Sequence, residues 1–331
     1  MTSKLPGICF IGCGKIAENH ATTLRKLYKE IPLFFFDLDY KRALELRTKT
    51  NGISAMPSLQ HTFDSDDIDI IFITTPHAYH AEIAGEAANH GKHIIIEKPV
   101  TRNLNELRKV ISAVERNQVR CTVAENYFYK SMITKIKKLI DEEYIGKPLF
   151  IEINKYNKDK ISGWRADKDL MGGGALLEGG VHWINLLVSL SGSAPKSVIA
   201  SKPNIEYDTN VPFEDSINLM VKFDNGMCGS LFHSWRIPNR FKGLSLSKIY
   251  GTDGVITFES NGLFISAAGK KKKKYFADVF DFLGYKKMLS SFVDRFISGR
   301  PWEPDLNRIE TELRLVKAAY NSLKTNKFED I

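Results

Sequence analysis

The chain has 331 residues, of which 43% are hydrophobic and 26% are charged, and its formal net charge is +8. This length favours about two domains, and the balance of residues is typical of a folded globular protein and not of a disordered one. Apolar runs stay well short of the roughly 20 residues that cross a bilayer, and the beginning of the chain lacks the apolar region of a signal peptide. We therefore expect a cytoplasmic protein without a membrane partner.

Cysteine usage and charge clustering narrow the classes of partner further. The four cysteines form neither a CxxC pair nor a zinc spacing, which predicts reduced thiols and no cysteine metal site. Five consecutive lysines at positions 270–274 supply much of the net charge, and such a run is typical of a solvated turn between strands. A clamp for an anionic substrate, such as a nucleotide sugar, is the alternative. Aromatic residues do not interleave the lysines, so we expect no nucleic acid partner.

Strand and helix signals alternate through the first part of the chain. Continuous apolar runs predict strands at 7–11, 33–37, 68–74, 93–97 and 119–124, and amphipathic patterns predict helices at 17–28, 41–48, 79–89 and 104–116. Buried strands separated by helices are typical of a parallel sheet covered on both faces. Residues 1–123 are therefore predicted to form a doubly wound domain of the α/β class.

The remaining residues, 124–331, show a different pattern. Strand-like runs fall at 149–156, 216–223, 227–235, 245–251 and 254–260, and short turn signals join several of them. Helical patterns fall at 132–140, 174–191, 286–297 and 306–323. This predicts a second domain of the α+β class, built on an open and mostly antiparallel sheet.

Residues 12–17 read Gly-Cys-Gly-Lys-Ile-Ala, a GxGxxA pattern between the first strand and the first helix. Gly12 permits a tight turn, Gly14 lets the backbone approach a pyrophosphate, and Ala17 allows close helix packing. This location favours a dinucleotide site over a plain turn. Cys13 lies between the two glycines, and it is either an inert small side chain or a thiol whose modification blocks cofactor binding.

Asp37 ends the second predicted strand and bears on the choice of cofactor. A carboxylate there accepts hydrogen bonds from the ribose hydroxyls and repels a 2′-phosphate, which predicts NAD. NADP is the alternative, because Lys41 and Arg42 follow closely and offset that repulsion. Capping of the next helix is the other role open to Asp37, although Asp39 is better placed for it.

A polar loop follows the third predicted strand, at the edge of the sheet where ligands bind in such folds. It contains Thr74, Thr75, Pro76 and His77, and the proline lets the loop pass beneath a dinucleotide. His77 and His80 are three residues apart, but no carboxylate or cysteine stands in register with them. We therefore expect no metal.

Glu97 and Lys98 lie at the carboxyl end of the fourth predicted strand, at the same edge of the sheet, and Pro99 fixes the turn. Burial of a charged pair inside a sheet costs free energy, and a position at the end of a strand avoids that burial. A lysine there is a candidate for chemistry beside the nicotinamide ring. A structural lysine in a salt bridge is the alternative.

These motifs, together with AENYFY at 124–129 and GGGALLEGGVHWIN at 172–185, resemble the Gfo/Idh/MocA oxidoreductase family, the group of glucose-fructose oxidoreductase and inositol dehydrogenase. The resemblance spans essentially the whole chain. It implies an N-terminal Rossmann domain that binds NAD(P), and a C-terminal domain for substrate binding and oligomerisation. The implied reaction is hydride transfer between the nicotinamide and a carbinol carbon of a sugar, cyclitol or nucleotide-linked sugar. A homodimer or homotetramer is also implied, because family members pair through the open sheet face.

By position, the resemblance assigns catalysis to two residues. Lys98 contacts the reacting hydroxyl, and His182 acts as general acid or base. Substrate contacts are expected from Glu178, Tyr127, Trp164, Arg165 and Asn185. Cofactor contacts are expected from Gly12, Cys13, Gly14, Lys15, Ile16, Asp37, Thr74, Thr75, Pro76, His77, His80, Glu97, Lys98 and Asn126.

Some positions depart from the family pattern or allow a second interpretation. Glu178 and Asn185 stand where relatives often carry aspartate, and Ser131 replaces a frequent proline, which leaves the substrate open. Trp164 is either a pocket residue or part of the core, and the same holds for Trp235 and Arg236.

Two further functional classes accompany the dehydrogenase. A glycoside hydrolase of this family uses the cofactor transiently, so it releases free sugar without net reduction. A nucleotide-sensing protein keeps the fold without catalysis. The presence of both Lys98 and His182 argues against a sensor, although His182 taken alone is typical of a hydrogen-bonded helix histidine.

Overall fold

The computed structural model describes residues 4–204, 213–239, 244–278 and 280–331. The strands described are β1 (Ile8–Ile11), β2 (Leu33–Phe36), β3 (Ser54–Ala55), β4 (Ile70–Ile73), β5 (His93–Ile96), β6 (Cys121–Val123), β7 (Pro148–Tyr156), β8 (Pro195–Ser201), β9 (Ser216–Phe223), β10 (Cys228–Ser234), β11 (Leu246–Gly251), β12 (Val255–Glu259), β13 (Phe264–Ala268), β14 (Lys272–Phe276) and β15 (Glu329–Asp330). The helices described are α1 (Lys15–Leu27), α2 (Tyr40–Thr50), α3 (Leu59–Asp64), α4 (His80–Asn89), α5 (Leu104–Arg116), α6 (Ser131–Asp141), α7 (Lys168–Met171), α8 (Val181–Ser191), α9 (Tyr285–Ile297) and α10 (Leu306–Thr325). Short 3₁₀ turns cover His77–Tyr79, Asn126–Tyr129 and Gly163–Ala166, and a π-helical turn covers Leu176–Gly180.

Contacts divide the described chain into two compact units. The first contains residues 4–126 and 285–309, and the second contains the described parts of 127–284 together with 310–331. These units are defined by contacts between residues, so the division into two domains after residue 123 stays a prediction. The units show one feature that the sequence did not predict: the segment that carries α9 packs with the first unit, where α9 contacts α1.

Six parallel strands form the sheet of the first unit, in the order β3-β2-β1-β4-β5-β6. Residues of β1 pair with β2 on one side and with β4 on the other. All four residues of β1, β2 and β4 are buried, as is required of strands with helices on both faces. The predicted doubly wound α/β sheet is confirmed.

Helix ends in the first unit follow ordinary capping chemistry. The side chain of Asp39 accepts the Lys41 N–H at 3.2 Å and begins α2, so Asp39 is the cap and not Asp37. Asn103 accepts the Glu106 N–H at 3.0 Å and begins α5. The stripe of apolar residues on α5 is buried against the unit, as its helical spacing predicts.

Nine strands form the sheet of the second unit, in the order β14-β13-β12-β11-β7-β10-β9-β8-β15. All neighbours pair antiparallel except β7 and β10, which run parallel. The prediction of an open, mostly antiparallel sheet is therefore confirmed. Along β9, buried and exposed residues alternate, so one face of the sheet packs inward and the other is open.

The lysine run lies at one edge of this sheet. Only 269–271 form the turn, and Lys272–Phe276 is the edge strand β14, paired with β13. Lysines on an edge strand discourage pairing with another chain. Among the described residues, no helix is both long and apolar enough to span a membrane.

Candidate active site

The turn between β1 and α1 is shaped for a ligand that approaches the backbone closely. Gly12 has a φ of 92°, and a Cβ there would lie 2.9 Å from the Thr74 carbonyl, so both conformation and space require glycine. Gly14 is the N-cap of α1, and a Cβ on it would meet no described atom within 4 Å. Open space beside the first amides of a helix suits a pyrophosphate, because the helix N-terminus attracts negative charge. Lys15 and Ile16 begin α1 directly after it.

Asp37 binds the same turn from the end of β2. Its Oδ2 accepts the Cys13 N–H at 2.7 Å, and its Oδ1 accepts the Asp39 N–H at 2.9 Å. Burial, followed by the charge of Asp37, raises the pKa of the Cys13 thiol to about 12. The thiol is therefore protonated and poorly reactive at neutral pH, which favours the interpretation of Cys13 as an inert small side chain.

The loop after β4 is tied to the glycine turn. Thr74 Oγ1 donates to the Gly12 carbonyl at 2.6 Å. Thr75 Oγ1 is buried without a hydrogen-bond partner among the described residues, which fits a polar contact completed by a bound cofactor. His80 is fully buried, with Nδ1 3.0 Å from the Pro99 carbonyl and Nε2 2.9 Å from the Thr75 carbonyl. This histidine therefore connects two loops of the unit.

His77 follows Pro76 in the 3₁₀ turn and is buried. Its ring meets that of His80 at an angle, with the centroids 5.6 Å apart. In the described part of the chain, no three His, Cys, Asp or Glu side chains are grouped as a metal ion would require.

The segment after β5 separates the two members of its charged pair. Glu97 faces the interior, where its Oε1 lies 2.5 Å from His20 Nε2 and its Oε2 accepts the Lys98 N–H at 3.1 Å. Lys98 is only half-buried. His20 lies on α1, is fully buried and stacks on Phe72 of β4, with the ring centroids 4.9 Å apart. Glu97 is thus anchored inside the first unit, whereas the Lys98 side chain is partly exposed.

In the second unit, glycines at 172–174 lead into the π-helical turn. A Cβ on Gly174 would lie 2.2 Å from the Glu214 carbonyl oxygen, so only glycine fits at this position. Glu214 Oε1 accepts the Leu176 N–H at 3.0 Å and the Tyr320 hydroxyl at 2.9 Å. Burial raises the pKa of Glu214. These contacts fix the start of the element that carries Glu178.

The π-helical turn and α8 present Glu178 and His182 one turn apart. Such turns are frequent at functional sites. Glu178 Oε2 lies 3.2 Å from Arg165 Nη2, and Arg165 Nη1 lies 3.2 Å from Asp159 Oδ2. His182 is half-buried, and its ring centroid is 5.0 Å from that of Tyr127. The structure thus joins Arg165 to Glu178 and Tyr127 to His182, four residues that the sequence assigned to the site.

A buried polar network supports Tyr127. Lys130 Nζ lies 3.8 Å from the centre of the Tyr127 ring and donates to the Asn261 carbonyl at 2.7 Å. Lys155 Nζ donates to Asn261 Oδ1 at 2.8 Å, and burial lowers the pKa of Lys155. Asn261 in turn donates to Glu259 Oε1 at 2.9 Å. Asn261 thereby joins Lys130, Lys155 and Glu259 in one network, of which Lys130 lies against the Tyr127 ring.

Two of the predicted substrate residues make interior contacts. Asn185 is buried, and its Nδ2 donates to Glu312 Oε1 of α10. Trp164 packs against a buried cluster of Met171, Ala175 and Trp235. Their substrate contacts stay predictions.

His233 on β10 lies next to the π-helical turn. Its Nδ1 is 3.0 Å from the Lys155 carbonyl, which only accepts, so Nδ1 carries the hydrogen. Nε2 is buried without a hydrogen-bond partner among the described residues, and it would lie 2.9 Å from a Cβ on Gly179. Burial lowers the pKa of His233 to about 4, so the ring is neutral at ordinary pH.

Comparison with known proteins places this architecture in one family. Residues 7–125 match the oxidoreductase family with an NAD-binding Rossmann fold, and residues 133–257 match the GFO/IDH/MocA C-terminal domain. The chain belongs to the Gfo/Idh/MocA oxidoreductase family. Both domains of the family are therefore present in the order that the sequence predicted.

Individual relatives of this oxidoreductase are distant. Levoglucosan dehydrogenase of Pseudarthrobacter phenanthrenivorans is 27% identical over 285 residues, which cover 75% of this chain and 72% of that protein. Glucose-6-phosphate 3-dehydrogenase of Bacillus subtilis is 27% identical over 219 residues, which cover 65% of this chain and 61% of that protein. The solved structure of a levoglucosan dehydrogenase in complex with NADH and levoglucosan superimposes with a TM-score of 0.87 at 22% identity and covers 99% of each chain. At that identity the likeness shows the fold alone.

Sequence reasoning missed His20, Lys130, Lys155 and His233 in this oxidoreductase. A signal existed for His20, since it shares the buried face of α1 with Ala17, Ala21 and Leu24. A polar residue on an apolar helical stripe needs a buried partner. The others had no such signal, because their partners are far away in the sequence: Asn261 in the turn after β12 for both lysines, and the Lys155 carbonyl on β7 for His233. Asn126 begins the 3₁₀ turn at the end of the first unit.

Proposed function

We propose that this chain is an NAD-dependent dehydrogenase or reductase that acts on a carbinol carbon of a sugar, cyclitol or nucleotide-linked sugar. The observation that carries the proposal is the half-buried imidazole of His182, held against the Tyr127 ring one turn after Glu178. An imidazole is the side chain most often used as a general acid or base toward a hydroxyl group. The substrate class is supported by the relatives, two of which are a levoglucosan dehydrogenase and a glucose-6-phosphate 3-dehydrogenase.

The residues of the first unit fit a dinucleotide. Glycine is required at position 12, the space beside Gly14 is open, and Thr75 Oγ1 is buried without a partner among the described residues. When bound, NAD supplies the nicotinamide that accepts or donates the hydride. We propose that Gly14 and the first amides of α1 hold the pyrophosphate and that Asp37 holds the adenosine ribose.

The charge balance around Asp37 favours NAD over NADP. The nearby cations are exposed and already paired, since Lys41 Nζ lies 4.0 Å from Glu45 and Arg42 Nε lies 3.4 Å from Asp39. They therefore offset the repulsion between Asp37 and a 2′-phosphate only weakly.

The chain's own residues divide the acid–base work. His182 takes the hydroxyl proton as the alcohol is oxidised and returns it in the reverse direction. The ammonium of Lys98 stabilises the negative charge that develops on the same oxygen. General acid–base help is worth about 10² to 10⁴ in rate, and a donor to a developing oxyanion about 10² to 10³.

We also propose a homodimer or homotetramer formed through the open face of the second sheet. Phe150, Met220 and Leu246 share that face by register and are 55%, 50% and 44% exposed. Large apolar side chains grouped on an open sheet face favour coverage by a second copy. Sedimentation analysis measures the assembly directly.

The proposed reaction is tested by nicotinamide absorbance with NAD and a panel of polyols, aldoses, anhydrosugars and nucleotide sugars. Wild type is compared with Lys98→Met, His182→Phe and a matched control, Lys109→Met, whose lysine is exposed on α5. We expect kcat to fall about 10² to 10⁴ fold in the two site variants and to stay unchanged in the control. NADH affinity, from fluorescence titration, should stay within about threefold in all of them.

Two results would contradict the proposal. Release of free sugar from glycosides without net reduction of NAD would favour the hydrolase alternative. Tight NADH binding with no turnover of any compound, or turnover that both site variants retain, would remove the roles assigned to Lys98 and His182.

A further inference from the structure

Two fully buried histidines contact the residues on either side of Lys98. His20 contacts Glu97, the residue before it, and His80 contacts Pro99, the residue after it. The lysine between them is half-buried. A flexible side chain with four methylenes is positioned mainly through its backbone, so contacts that fix both neighbours restrict where its ammonium can reach.

The His20 contact is rigid because the ring is packed on several sides. Its centroid lies 4.9 Å from that of Phe72 in a stacked pair and 5.2 Å from that of Tyr285 in an edge-on pair. Nε2 lies 2.5 Å from Glu97 Oε1, and the other carboxylate oxygen accepts the Lys98 N–H at 3.1 Å. The carboxylate therefore links a ring on α1 to the backbone of Lys98. Helix α1 is also the element whose N-terminus faces the open space beside Gly14.

The His80 contact links the same segment to the loop after β4. One ring nitrogen lies 3.0 Å from the Pro99 carbonyl and the other 2.9 Å from the Thr75 carbonyl. Burial lowers the pKa of His80, so the neutral ring carries one N–H and donates it to one of these carbonyls, while the other ring nitrogen packs against the second. The imidazole thus holds the backbone after Lys98 at a fixed distance from the loop of Thr74 and Thr75.

We propose that His20 and His80 are positioning residues for Lys98, and that they act on turnover only through the placement of its ammonium. This inference rests on the proposed function, since it requires Lys98 to contact the reacting oxygen. Displacement of a catalytic group by about 1 Å costs about 10²-fold in rate, so the loss of either contact should be visible in kcat.

The test is a double-mutant cycle in the NAD-loaded enzyme, with the best substrate of the panel. His20→Leu and His80→Leu are each measured with Lys98 present and in a Lys98→Ala background. We expect kcat to fall about 10- to 100-fold when Lys98 is present and by less than about twofold when it is absent. NADH affinity should stay within about threefold, because His20 is not assigned to the cofactor and His80, although the resemblance assigns it there, is fully buried with both ring nitrogens against backbone carbonyls.

A matched control separates positioning from general loss of stability. His93 is a partly buried histidine at the opposite end of β5, where its Nδ1 accepts the Arg120 N–H at 3.0 Å. His93→Leu should lower the urea midpoint but leave kcat within about twofold. His20→Gln can still donate an N–H toward Glu97, so it should recover most of the lost kcat, and it provides the measurement should the leucine variant not fold.

Three results would overturn the inference. They are an unchanged kcat in both leucine variants, an equal loss of kcat in the Lys98→Ala background, or an equal loss in His93→Leu. A failure of the proposed function is seen separately, because then Lys98→Ala alone leaves turnover unchanged, or wild type turns over nothing. In that case the positioning roles proposed for His20 and His80 are refuted as well.

Discussion

The buried ring of His233 predicts a specific loss of stability in acid. It is 5% exposed, its Nδ1 donates to the Lys155 carbonyl, and the charges of Glu178, Lys155 and His182 act on it. Burial lowers the pKa from the ordinary 6.5 to about 4 in the folded protein. Between these values the unfolded chain takes up a proton and the folded chain does not. Stability from this group is therefore fully present above pH 6.5 and is lost as the pH falls toward 4, by about 2.5 kcal/mol near pH 4.5.

Replacement of His233 by phenylalanine keeps a ring in place and removes the titration. Urea unfolding is followed by tryptophan fluorescence, which mainly reports the second unit because Trp164, Trp183 and Trp235 lie there. At neutral pH the variant should be less stable by about 1 to 3 kcal/mol, since the Lys155 carbonyl loses its donor. Near pH 4.5 that difference should shrink by about 2.5 kcal/mol or reverse. If the two proteins lose stability in parallel to within about 0.5 kcal/mol, the ring is not held neutral by burial.

Three further predictions concern the glycines and the cofactor turn. Alkylation of the Cys13 thiol should be at least about a hundredfold slower than that of free cysteine, as measured by mass spectrometry, and a rate near that of free cysteine would contradict the raised pKa. Asp37→Ser should raise the preference for NADPH over NADH by about tenfold or more in fluorescence titrations, whereas an unchanged ratio would remove the role given to this carboxylate. Gly174→Ala should lower the free energy of unfolding by about 3 kcal/mol or more, because its Cβ would overlap the Glu214 carbonyl. The control Gly85→Ala, on an open face of α4, should raise it by about 0.5 to 1 kcal/mol, and equal effects of the two substitutions would refute the steric argument.

The first sheet could be predicted almost completely from the sequence. Strands such as Ile70–Ile73 are apolar at every position, and the helices between them, such as Leu104–Arg116, carry their apolar residues at helical spacing. The short strand Ser54–Ala55 and helix Leu59–Asp64 were not predicted, since segments of two and six residues show no clear period.

For the second unit, the sequence predicted the α+β class and the mostly antiparallel sheet, but it did not predict which strands pair with each other. The parallel pairing of β7 with β10 joins strands that are far apart in the sequence, and no local turn signal reports it. The π-helical turn at Leu176–Gly180 also escaped prediction, because its hydrophobic spacing resembles that of an ordinary helix. It depends on tertiary contacts, such as the Glu214 carboxylate on the Leu176 N–H.

Candidate site residues could be predicted where they belong to a recognisable sequence motif. They were missed where only the folded structure brings them next to their partners. Gly12, Asp37 and Lys98 stand in patterns with a fixed relation to strand ends. His20 and His233 have no such pattern, and their partners lie on other elements. A contact such as that of His20 with Glu97, 77 residues apart in the sequence, follows only from the folded sheet.

The first unit is completed by a segment that the ribosome makes late. Helix α9 packs on α1, and the backbone carbonyl of Pro304 accepts the Thr122 hydroxyl of β6 at 2.9 Å. A nascent chain that has emerged through residue 126 therefore has all six strands of its sheet but not the helix that covers α1. At about 5 to 20 residues per second, the face of α1 that α9 contacts stays uncovered for on the order of ten seconds. Fragments that end near residue 126 should therefore need chaperones or aggregate, even though they contain the whole dinucleotide motif.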